Sequence, residues 1–136
     1  MYLSRLSSQM KFAFLELELH LSKTDGQLSY DEKHVIDQHC DEMRIDNNYY
    51  QNEMSLEEVI DLIKNAPKEE QKIIYLEMVQ LVMADNIYHE NERTFMKELE
   101  AILGIHQDKV QEVFDIISSY RHLMNQMDNF IFEESE

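Results

Sequence analysis

Residues 21–45, "LSKTDGQLSYDEKHVIDQHCDEMRI", align without a gap on residues 81–105, "LVMADNIYHENERTFMKELEAILGI". Leu21 meets Leu81, Asp25 meets Asp85, Glu32 meets Glu92, and Lys33 meets Arg93. The apolar register follows: Val35 and Ile36 meet Phe95 and Met96, and Met43 and Ile45 meet Leu103 and Ile105. Acids are common in this chain, so one matched carboxylate says little. Acids and apolar register together point to an internal repeat, in which both stretches must fold alike.

The repeated unit reads as helical. Two Gly and one Pro in 136 residues are too few for a β-protein full of tight turns. A hydrophobic share of 43% is ordinary for a globular domain. Leu15, Leu17, Leu19 and Leu21 alternate as a strand would. Leu3, Leu6, Met10, Phe14, Leu17 and Leu21 instead follow helical spacings, and the segment is long and rich in helix formers. The reading is a helix over about 4–23, buried on several sides.

Further helices are expected from near 30 to about Met43, over about 56–65, about 67–84, near 90–103 and 109–125. Ser29 with Glu32, and Ser55 with Glu58, have the spacing of capping boxes. Pro67 suits a first helical turn, and Gly104 stops the helix before it. The fold expected is all-α: a bundle of about six to seven helices in one domain over 1–136. It consists of two repeats, about 4–65 and 67–127, with two buried central helices. The tail "FIFEESE" is apolar, then acidic; docking of Phe130 and Phe132 would leave the acids in solvent.

With 12 basic and 28 acidic residues the net charge is −16. Such a field repels nucleic acid and anionic membrane surfaces and favours cations or basic protein partners. Cys40, the single cysteine, forms no internal disulfide, which fits a reducing compartment. Lys11, Glu16, Glu18 and His20 interrupt the first apolar stretch, so it reads as neither signal peptide nor membrane span. The expectation is a cytoplasmic protein.

"TDGQLSYDE" looks like the second half of a calcium loop. A full EF-hand needs oxygen ligands at its first and third positions, which here are Leu21 and Lys23, or Leu81 and Met83. What survives is a turn carboxylate followed seven residues later by a carboxylate in the next helix. The bland reading makes Glu32 a helix cap. In the second block His89 replaces Ser29, so the box is expected to be absent there, while Asp85 and Glu92 keep their places. Hard oxygen ligands of this kind suit Ca²⁺ or Mg²⁺.

Other chemistry is weaker. His34 and His39 fall on different helix faces, "HENER" lacks the second histidine of a zinc motif, and there is no Gly-rich phosphate loop. A metal-dependent hydrolase would need both carboxylate pairs to converge on two ions.

At "TDGQLSYDEKHVI" and "ADNIYHENERTFM" the sequence resembles the TerB-like family of tellurite-resistance proteins, also seen as the N-terminal domain of DjlA-type co-chaperones. The second stretch has Asn86 where the family has glycine, and Asn tolerates the same left-handed turn. The resemblance spans nearly the whole chain. It implies an all-helical duplicated fold and a cytoplasmic, non-enzymatic module. Its partners would belong to stress-response or membrane-associated systems. It also implies acids that hold a divalent cation, here Asp25, Glu32, Asp85 and Glu92. A metal-independent protein-interaction module is the alternative.

Overall fold

The computed structural model describes residues 1–25, 28–46, 51–84 and 88–133, with Asp25 described by its backbone alone. Six α-helices lie among them: α1 Ser8–Ser22, α2 Tyr30–Met43, α3 Leu56–Lys64, α4 Lys68–Val82, α5 Glu90–Leu103 and α6 Gln107–Phe132. Short 3₁₀ turns cover Leu3–Arg5 and Lys23–Asp25, and the described residues contain no strand. The chain divides into two compact units, Met1–Gly104 and Ile105–Glu136. The boundary expected between repeats, near residue 66, lies inside the first unit.

In that unit α1 and α4 are the central helices. α1 packs on α2, α3, α4 and α5, and α4 packs on α2 and α5 as well. Being enclosed, each buries residues nearly all round. That resolves the Leu alternation: Leu17 and Leu21 share one face of the helix, Leu19 lies on the opposite side, and all are buried. Glu16 and His20, one turn apart on α1, hold the connection into α3. Glu16 accepts from the backbone N–H of Glu53 (2.7 Å), and His20 Nε2 lies 2.8 Å from the Met54 carbonyl.

The helix boundaries repeat the offset of 60. α4 begins and ends 60 residues after α1, and α5 does so after α2. Arg44 and Gly104, again 60 apart, both end their helices in the left-handed region (φ 59° and 69°). The Ile45 N–H reaches the Cys40 carbonyl (2.8 Å), which satisfies an otherwise orphaned helix end.

Three expectations need correction. The first helix does not run from 4 to 23. Ser7 is extended and caps α1, its Oγ accepting from the Met10 N–H (3.3 Å), while Glu70 takes the N–H of Ser7 (2.7 Å). Leu3 and Leu6 are buried despite the break, so their spacing looked helical. Pro67 caps α4 and does not occupy its first turn. The last helix continues to Phe132, with Phe130 and Phe132 undocked at 88% and 78% exposure.

Arg44 holds a conformation that costs a residue with a Cβ roughly 1 kcal/mol. Arg44→Gly therefore raises stability by about 0.5–1 kcal/mol in urea unfolding, the strain relieved outweighing glycine's extra chain entropy. Gly104→Ala lowers it by about 1 kcal/mol through backbone strain alone, since an added Cβ meets nothing within 4 Å.

Candidate functional site

The two acidic segments are built by helix starts. Ser29 is extended, its hydroxyl accepts from the Glu32 N–H (3.1 Å), and the Glu32 carboxylate accepts from the Ser29 N–H (3.0 Å). At the second segment the Glu92 carboxylate accepts from the His89 N–H (3.3 Å). The box expected to be absent there thus keeps its carboxylate half. The carboxylate half of a capping box uses a backbone N–H, which every residue but proline has, so histidine does not abolish it. Glu32 and Glu92 are also both buried, at 5% and 2% exposure.

The segments meet. Asn91 Nδ2 donates to the Thr24 carbonyl (3.1 Å), and the Lys23–Asp25 turn packs against α5. Thr24 precedes Asp25, and Asn91 precedes Glu92. The backbone of the first turn therefore lies against the start of the helix that carries the second glutamate. Thr24 Oγ1 closes its own turn by donating to the Leu21 carbonyl (2.8 Å). Asp85, Gly26, Asn86 and the side chain of Asp25 lie outside the described residues. Among the described residues no three His, Cys, Asp or Glu side chains are grouped as a metal ion would need.

The second segment is braced by polar contacts. Arg93 lies over the ring of Tyr88 (4.5 Å) and donates to its carbonyl (3.3 Å). Burial and the nearby Glu100 carboxylate push the Tyr88 hydroxyl up to about 12. Tyr75 on α4 donates to buried Glu100 on α5 (2.6 Å); burial and that bond hold the Tyr75 hydroxyl protonated far above its ordinary range.

Sequence reasoning missed a second polar constellation, deep between α1, α2 and α4. His39 Nδ1 lies 2.8 Å from Glu18, and its Nε2 lies 3.4 Å from Glu77 and 3.5 Å from Gln80. Glu18 and Glu77 are completely buried and His39 is nearly so. The Met1 amino group lies 3.0 Å from Glu77 and 2.9 Å from Glu42, which also accepts from the Leu3 N–H (2.8 Å). An imidazole between two carboxylates donates from both nitrogens only as the imidazolium. Burial pushes the Glu18 carboxyl up to about 7, although His39 opposes the rise. Burial alone would lower His39, but Glu18 and Glu77 reverse this, and its net shift is upward. The one signal in the sequence was that acids on a helix apolar all round have no solvent to face.

Comparison with known proteins agrees with this architecture. A crystal structure described as a tellurite resistance protein from Nostoc punctiforme superimposes with a TM-score of 0.70 at 21% identity, over 96% of this chain and 85% of that one. At that identity the likeness shows a shared fold. The sequence profile described as "Tellurite resistance protein TerB" matches residues 43–114. No curated protein matches the chain significantly. The chain is thus a helical module of the tellurite-resistance type, and it belongs to the TerB family. No helix among the described residues is long and apolar enough to cross a membrane.

The buried cluster sets a pH dependence. Glu18 and His39 both titrate higher folded than unfolded, so the folded chain keeps protons that the unfolded chain releases. Stability from such groups is complete below their unfolded values and is lost as pH rises through the folded ones. Unfolding free energy should therefore fall from about pH 5 to 8, with a visibly shallower slope in Glu18→Gln. His39→Leu leaves two buried carboxylates without their imidazole and costs about 3–5 kcal/mol at neutral pH, measurable in urea.

Proposed function

We propose that this TerB-family chain is a non-enzymatic interaction module of a stress-response or membrane-associated system, whose two acidic turns together bind one divalent cation. The observation that carries the reading is the Asn91–Thr24 hydrogen bond, which brings the two segments side by side. Recurrence of helix ends and left-handed terminators at the same offset supports treating the segments as copies from an internal duplication. The candidate ligands remain Asp25, Glu32, Asp85 and Glu92. All are hard oxygen donors, so Ca²⁺ or Mg²⁺ fits better than a thiophilic metal. Glu32 and Glu92 each have one oxygen on a helix cap, which fixes the carboxylate.

The same caps favour a second reading, in which the acids only fix helix starts and the acidic surface steers a basic partner without any ion. In this version chelator leaves partner capture unchanged and salt weakens it.

Calorimetric and NMR titrations with Ca²⁺, Mg²⁺ and Zn²⁺ separate the two. The cation reading predicts saturable Ca²⁺ or Mg²⁺ binding, with a dissociation constant of roughly 10⁻⁴–10⁻³ M. Resonances at both segments should shift together, and binding should weaken about tenfold or more in Asp25→Asn and in Asp85→Asn. Absence of any shift up to millimolar metal rules it out in favour of the metal-independent module.

A further inference from the structure

The C-terminal half of α6 carries an apolar face that is exposed among the described residues. Tyr120, Met124, Met127 and Ile131 recur at intervals of four, three and four, the spacing of a and d positions in a heptad pattern. Leu123 and Phe130 flank that seam one heptad apart. Leu123 is 56% exposed, Met127 53%, Ile131 63% and Phe130 88%. With Met124 the exposed apolar surface amounts to roughly 600 Å², taking roughly 200 Å² for a large side chain. Monomeric proteins rarely leave so much in one patch, and it approaches the roughly 800 Å² per partner of a standard interface. A stripe with a period of 3.5 residues matches another helix running alongside, since that period keeps the seam facing its partner over several turns.

The charge pattern selects the occupant. Over the whole chain the net charge is −16, which opposes self-association. Between Asp115 and Glu133, however, Arg121 and Asp128 are the only Asp, Glu, Lys or Arg, so the stretch is neutral. Both occupy the e position beside the seam, one heptad apart. In an antiparallel pair with its two-fold axis near Met124 and Asn125, Arg121 of each copy comes level with Asp128 of the other. A self-complementary patch of this kind is what a two-fold interface requires.

We infer that α6 pairs antiparallel with α6 of a second copy of this chain, burying the face from Tyr120 to Ile131. This goes beyond the cation reading and does not depend on it. Light scattering coupled to gel filtration, from low micromolar to hundreds of micromolar, should give about twice the 16.4 kDa of one chain. Met127→Glu with Ile131→Glu should give a single chain that keeps its helical content, because both side chains are exposed. Asp128→Arg should weaken the pair, and adding Arg121→Asp should restore it.

A wild-type monomer at hundreds of micromolar overturns the inference. So does a dimer that survives the double glutamate variant, which places the interface elsewhere. A monomer that co-sediments with neutral phosphatidylcholine vesicles also overturns it, because the face then serves a lipid surface.

Discussion

The first unit depends on an imidazole held between two buried carboxylates. Glu18 comes from α1, His39 from α2 and Glu77 from α4, so the cluster links both central helices to a flanking one. Burying those charges is costly, and the cost is met only if every partner is in register. One Glu18 oxygen has no hydrogen-bond partner, so the network is held without surplus. The surrounding core is apolar and would tolerate sliding better than this cluster does. Phe14 packs its ring at 5.3 Å from the imidazole, so the apolar and polar parts share a wall.

The cluster also breaks the likeness between the two stretches. Sixty residues from Glu18 stands Met78, from His39 stands Leu99, and Glu77 answers to Leu17. On the other side, Tyr75 and Glu100 make a buried pair where the corresponding positions hold Leu15 and Cys40. The backbone plan repeats while each side of the core carries its own polar key. With different keys, α1 and α4 are not interchangeable, which discourages mispairing of two similar helix sets. The acidic segments, by contrast, keep their carboxylates at matching positions in both stretches.

How much could be read in advance follows from how local each signal is. α2 and α5 were legible almost to the residue, because Ser29, Glu32 and Gly104 act within their own helix ends. α1 was read as too long because Leu3 and Leu6 stay in helical phase across Ser7, and the Glu70 carboxylate that holds Ser7 is 63 residues away. The end of α6 was obscured by a mixed apolar and acidic tail. Glu18 and His39 are 21 residues apart, and neither advertises the other. The cap at His89 escapes the sequence for a different reason: the Glu92 carboxylate bonds to a backbone N–H, which no residue letter displays. The acidic pattern itself was legible, but the contact between the two segments was not, since it rests on Asn91 reaching Thr24 across 67 residues.

Whether the two turns act as one site is tested most directly by paramagnetic relaxation with Mn²⁺, a hard cation with oxygen preference. Substoichiometric Mn²⁺ added to isotope-labelled protein should broaden amides around Thr24 and around Asn91 together, with one shared midpoint. The broadening should be displaced in parallel by Ca²⁺ or Mg²⁺. Broadening at one segment with the other untouched, or two midpoints that respond independently, would contradict a common site and leave two separate structural turns.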